Sequence, residues 1–223
     1  MDVTALHVVL PDKAARARAA SSGRKAMSAV SVELEDGRTR EIAVPARVGR
    51  LLREDPLPLP MGEDAAFDAV HALEGRVAFA MVTEMLSRRD HAETELRRKL
   101  RLYGFRDEEI SFALDRARSR RYVDDGRFAS YFIEERMRRG WGPRKIEAEL
   151  KTKGIDPSSV DGYPEIFFSE GKEFELALEA LRRKRVPDEK PRERLLRYLL
   201  GRGFDWSTSR RAVDVVLNER DGA

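Results

Sequence analysis

The chain has 223 residues, 41% of them apolar and 37% charged, and a formal net charge of +3. The apolar share suffices for packed cores, while the charged share lies well above the globular average of about 25% and favours helices with charged outer faces. The absence of cysteine excludes disulfides, thiol nucleophiles and Cys–zinc sites.

In chain order, Val3 to Leu10 reads as a strand, and the Ala/Arg/Ser-rich stretch from Lys13 to Lys25 stays open between loop, short helix and disorder. Val30, Val32 and Leu34, then Ile42 and Val44, alternate with polar residues around Asp36-Gly37, a hairpin signal. A three-residue loop through Arg38 pairs Val32 with Ile42 and Val30 with Val44 and keeps one apolar face intact. A short helix from Ala46 to Arg53 is expected next, and DPLPLPMGED (Asp55 to Asp64) reads as a connection.

From Phe67 the periodicity is helical: Leu73, Val77, Met81 and Met85 recur at i+4, with Val70 and Ala78 beside them. A second helix is expected from Asp90 as N-cap, with Glu93 completing a capping box, to the stop at Gly104. A third opens at Arg106 or Asp107 with Ile110, Ala113, Leu114 and Ala117 on one face, and YVDD (Tyr122 to Asp125) closes the unit.

The chain then repeats itself. Leu96, Leu100, Gly104 and Phe105 are matched by Ile146, Leu150, Gly154 and Ile155, and again by Leu195, Leu199, Gly203 and Phe204. Each copy puts two apolar residues one turn apart, then a glycine where the chain can turn left-handed, then an apolar residue to fold back. Asp107, Asp156 and Asp205 follow as caps, and Pro143 and Pro191 suit first helical turns. The expected architecture is mainly α: three tandem three-helix repeats (66–124, 125–165, 166–223) forming an elongated curved array. A small β-containing N-terminal unit (1–60) and a linker (61–65) precede them.

No catalytic, cofactor or metal constellation emerges. No phosphate loop is present, and His7, His71 and His91 lack ligand spacing. His71 is expected to be structural, His91 solvated, and Asp124-Asp125 to have a capping role or an interface role between modules. What the sequence does offer is cationic: residues 76–153 hold 20 Lys and Arg against 14 Asp and Glu. The candidate partner- or DNA-binding residues are Arg88, Arg89, Arg97, Arg98, Lys99, Arg101, Arg120, Arg121, Arg136, Arg138, Arg139, Trp141, Arg144, Lys145, Lys151 and Lys153. Arginine forks suit phosphate and carboxylate alike, so DNA and an acidic protein surface remain alternatives. A solvated, ion-paired helix surface is the bland one. Trp141 either packs between modules, the preferred reading, or is an exposed anchor. No apolar run approaches the ~18 residues of a membrane span, and the basic N-terminus lacks the order of a secretory signal. A cytoplasmic protein, monomeric and without a membrane partner, is expected.

LSRRDHAETELRRKLRLYGFRDEEI (Leu86 to Ile110) resembles the first repeat of the RecX family. YVDDGRFASYFIEERMRRGWGPRKIEAELKTKGI (Tyr122 to Ile155) is similar to its second repeat, and LLRYLLGRGF (Leu195 to Phe204) to its last. Ala92 departs from the Ser common at the second-helix start, which touches only a cap, and the first half of the third repeat is weak. The resemblance implies a non-catalytic regulator that binds the RecA recombinase filament on DNA. It further implies damped ATP hydrolysis, strand exchange and co-protease activity in DNA repair and the SOS response. The chief alternative is a stand-alone DNA-binding protein of helix-turn-helix-like modules; a protein-only scaffold is another.

Overall fold

The computed structural model describes residues 1–221. The chain divides into two compact units, Met1–Asp124 and Asp125–Ala223.

The first unit opens with β1 (Asp2–Val9), α1 (Lys13–Ser21), β2 (Met27–Leu34), β3 (Thr39–Pro45), α2 (Ala46–Glu54) and β4 (Met61–Gly62). Helices α3 (Glu63–Leu86), α4 (Glu93–Leu102) and α5 (Asp107–Ser119) follow. The strands form one antiparallel sheet in the order β3-β2-β1-β4. The stretch left open after Lys13 is a helix, because the Asp12 carboxylate accepts from the Ala15 N–H at its start. Residues 61–65, expected as a linker, instead form β4, paired with β1 at Asp2 and Val3, and the first turn of α3.

The hairpin register is shifted from the expected one. Val30 faces Ile42 and Val32 faces Arg40, and the Leu34 N–H donates to the Arg38 carbonyl at 2.8 Å. The loop is therefore Glu35–Gly37 rather than 36–38. Gly37, at φ +80°, occupies the last position of a three-residue loop, where a left-handed residue is required. A slip of two residues preserves the faces, so Val30 and Val32 remain buried.

Residues 1–60, expected to stand as their own unit, share a core with the helices. Val30, Val44, Val48 and Leu52 pack in one cluster with Val70, Val77, Met81, Leu96, Leu100, Phe105, Ile110 and Leu114. The stripe of α3 is as expected: Val70, Val77, Ala78 and Met81 are buried, and Leu73 and Met85 lie partly buried against the same cluster. Helix α4 starts later than its expected capping box. Its N-cap is Ala92, which offers no side-chain hydrogen bond. Arg106 rather than Asp107 is the N-cap of α5.

The second unit contains α6 (Asp125–Arg138), α7 (Pro143–Thr152), a 3-10 turn (Pro157–Ser159), α8 (Glu170–Arg182), α9 (Pro191–Arg202) and α10 (Trp206–Asp221). The expected third helix of the middle module is only that turn, with Asp156 as its cap and Pro157 in first place. Asp205 caps α10, accepting from the Thr208 N–H at 2.8 Å.

The threefold repeat is present in atomic detail. Leu96, Leu100, Ile146, Leu150, Leu195 and Leu199 are all fully buried. Gly104, Gly154 and Gly203 have φ of +91°, +75° and +91°. The N–H groups of Phe105, Ile155 and Phe204 reach back to the carbonyls of Leu100, Leu150 and Leu199 at 3.0–3.2 Å. These bonds satisfy helix-end carbonyls and turn each apolar residue inward. Among the described residues no helix is long and apolar enough to cross a membrane.

Candidate partner-binding surface

The repeat that builds the cores also places the cations. With two apolar positions per helix facing inward, the intervening Arg and Lys residues of α4 and α7 are turned outward. Basic residues fall in the last turns, Lys99 and Arg101 in α4 and Lys151 in α7, where they complement the negative end of the helix dipole.

The sixteen candidates separate by what already engages them. Arg88 pairs with Glu84, Arg89 and Lys99 with Glu95, Arg97 with Glu93, and Arg101 with Asp107. Arg136 is mostly buried, bridges Glu135 and Glu149, and stacks on Phe132 and Trp141. Lys145 lies over Trp141 at 4.3 Å, Lys153 over Phe132 at 5.4 Å, and Arg139 pairs with Glu135. Arg120 is exposed, with its guanidinium 5.3 Å from the Phe79 ring. Exposed and without an ion pair among the described residues are Arg98, Arg120, Arg121, Arg138, Arg144 and Lys151. A cation already ion-paired must give up a carboxylate to bind another; these six need not.

Trp141 is neither fully packed away nor freely exposed. It is half-buried, its ring held between Arg136 and Lys145 in the turn from α6 to α7. That turn meets the end of α9 backbone to backbone. Gly142 N–H donates to Arg202 O at 2.8 Å and Arg144 N–H to Gly203 O at 3.1 Å. The Arg183 and Arg202 guanidiniums donate to the carbonyls of Arg138 and Arg139 at 3.1 and 2.7 Å. The Arg-rich Gly turn is thus fixed from behind while Arg138 and Arg144 project outward.

Two buried polar clusters escaped the sequence reading, because their members lie on different helices or in an irregular segment. In the first, Arg106 at the head of α5 contacts His71 and Glu74 of α3 and Glu109 of its own helix. Burial raises the Glu74 carboxyl pKa, against the pull of Arg106. Ligand atoms of His71, Glu74 and Glu109 lie within 4.8 Å of one another. The Arg106 guanidinium lies against both carboxylates, one cation facing two acids, and ties α3 to α5. In the second, His91 is buried rather than solvated, with Nδ1 3.0 Å from Glu95. Burial depresses the imidazole pKa more than Glu95 raises it. For Glu95, burial is outweighed by hydrogen bonds from Arg89 and His91, and its carboxyl is held at about 2. In each cluster the carboxylates face cations, Arg106 in the first and Arg89 and Lys99 in the second.

Comparison with known proteins gives this surface its context. The model of the RecX second three-helix domain matches residues 124–161 and that of the first three-helix domain residues 78–116. Regulatory protein RecX of Actinobacillus pleuropneumoniae serotype 5b (strain L20) is 34% identical over 139 residues, which span 61% of this chain and 91% of that protein. The chain belongs to the RecX family. Regulatory protein RecX of Xanthomonas campestris pv. campestris (strain B100) is 36% identical over 140 residues, 60% of this chain and 85% of that one. Among solved structures, a regulatory protein RecX aligns with a TM-score of 0.57 at 20% identity, covering 83% of this chain and 94% of the other. RecX from Lactobacillus salivarius aligns at 0.54 and 20% identity, covering 68% and 99%. These two likenesses establish the RecX fold, and the relatives' names establish a regulatory role for the family. Both matched domains contain unpaired candidates: Arg98 lies in the first, Arg138, Arg144 and Lys151 in the second.

Proposed function

We propose that this chain is a non-catalytic regulator that binds the RecA recombinase filament on DNA and lowers its ATPase, strand-exchange and co-protease activities. The observation that carries the reading is the set of exposed, unpaired cations on helix-turn units repeated along the chain. A filament presents the same acidic and phosphate groups at regular intervals, so repeated cationic units engage repeated sites. Each exposed contact contributes about 1 kcal/mol or less, and linkage on one chain multiplies the effect. Membership in the RecX family, with relatives named as regulatory proteins, supports the recombinase as the partner of this reading.

The test is single-stranded-DNA-dependent ATP hydrolysis by the cognate recombinase, titrated with this protein, beside a mobility shift on naked DNA. Inhibition at well below one molecule per recombinase subunit with weak naked-DNA binding is the expected result. Unchanged hydrolysis with tight DNA binding would overturn it in favour of a stand-alone DNA-binding protein. Reversing Arg138, Arg139 and Arg144 to Glu is expected to weaken inhibition with little loss of fold, since all three side chains are exposed. A triple variant that inhibits normally would remove this face from the contact.

A further inference from the structure

The first unit carries a groove of about 520 Å³ where the N-terminal segment meets the helices. The N-terminal segment is tied to the helices there. The Lys25 N–H donates to the Leu102 carbonyl at 2.9 Å, and the Met27 thioether packs against Gly104. Five cations line the groove, Arg16, Lys25, Arg47, Arg50 and Arg88, against a single carboxylate, Glu84. Glu84 accepts from Arg47 at 2.9 Å and Arg88 at 3.1 Å, and their bonds hold its pKa below the ordinary value. Arg16, Lys25 and Arg50 are exposed and make no ion pair among the described residues.

The lining is apolar as well as cationic: the side chains of Met81, Met85 and Phe105 contribute to it. Helix α1, which supplies Arg16, buries none of its residues. A short helix with nothing to bury gains little from its own packing, so its presence beside the groove is unexplained by the fold of the unit alone.

We infer that this groove is a docking site for an acidic peptide segment of a partner protein, one that carries an apolar side chain among its carboxylates. Arginine forks take carboxylates bidentately, and methionines adapt to an incoming apolar group. Nucleic acid fits the groove less well. Phe105 is too buried to stack on a base, and the Tyr103 ring already has Lys25 Nζ 5.9 Å from its centroid. The inference goes beyond the filament reading and stands without it, because no recombinase enters its test.

The probe is a short fluorescein-labelled peptide of Asp and Glu with one central Phe, titrated with the full chain in fluorescence anisotropy at low and physiological ionic strength. Binding that weakens with salt is expected. The double variant Arg16→Glu/Arg50→Glu should lose about tenfold in affinity with an unchanged circular-dichroism melt, as both residues are exposed. Replacing the peptide's Phe by Ala should weaken binding several-fold. Unchanged affinity in either substitution overturns the proposal, the first by removing the groove and the second by reducing binding to bulk charge. Displacement of the peptide by an equal concentration of oligothymidylate also overturns it and assigns the groove to nucleic acid.

Discussion

Gly142 and Gly203 form a reciprocal contact whose strength can be worked out from the structure. A Cβ at Gly203 would lie 2.5 Å from the backbone nitrogen of Lys145, and one at Gly142 would lie 2.5 Å from that of Phe204. Neither obstacle is a flexible side chain, so the two segments would have to separate. Separation breaks the bonds from Gly142 N–H and Arg144 N–H, about 1 kcal/mol each. Gly203 also has φ +91°, where a Cβ costs roughly 1–2 kcal/mol. Gly203→Ala is therefore expected to destabilise the second unit by about 3–4 kcal/mol, and Gly142→Ala, at φ −86°, by about 2 kcal/mol. Gly201→Ala supplies the opposite sign. It lies within α9 with open space around its Cβ position, so it should stabilise by up to about 1 kcal/mol. The chain's two tryptophans, Trp141 and Trp206, both lie in this unit, so urea unfolding followed by tryptophan fluorescence reads it directly. If Gly142→Ala and Gly203→Ala unfold within about 0.5 kcal/mol of the parent, the close approach does not hold the α6–α7 turn against α9.

Three further outcomes are expected. Glu95→Gln should destabilise at pH 7, because a carboxyl held at about 2 against an ordinary 4.5 contributes at most about 3 kcal/mol. That stability is present above pH 4.5 and lost as pH falls toward 2, so the variant's acid denaturation curve should be flatter there. An unchanged curve would refute the ion-pair account. Arg106→Ala leaves Glu74 and Glu109 buried against His71 alone and should lower stability by about 3 kcal/mol at pH 7. Since burial already raises the Glu74 pKa, the deficit should shrink as pH falls and that carboxyl takes up a proton, which thermal melts across the acid range would show. Leu150→Ala, at a fully buried repeat position, should cost about 2–5 kcal/mol in chemical denaturation.

What the sequence determined by itself is what depends on local periodicity and backbone permission. The three Leu/Ile pairs, the three left-handed glycines and the apolar residue after each could be placed because each step closes within a single helix end. The stripe of α3 was legible for the same reason. The hairpin is legible but its register is not, since registers two residues apart keep the same face inward and only the left-handed Gly37 at the last loop position chooses between them. The cations were legible as a population, but not which of them are free. Only the tertiary structure shows that Arg136 is engaged by two carboxylates and two rings while Arg138, two residues on, is unpaired and exposed. It also decided that residues 1–60 share a core with the helices, and that His71, Glu74, Arg106 and Glu109 converge. The contacts of His71 with Glu109 and of Arg106 with Glu74 join residues 38 and 32 positions apart, and no local rule of spacing carries information across that distance. Periodicity fixes which face of an element is buried; the packing of one element on another decides which polar groups meet there.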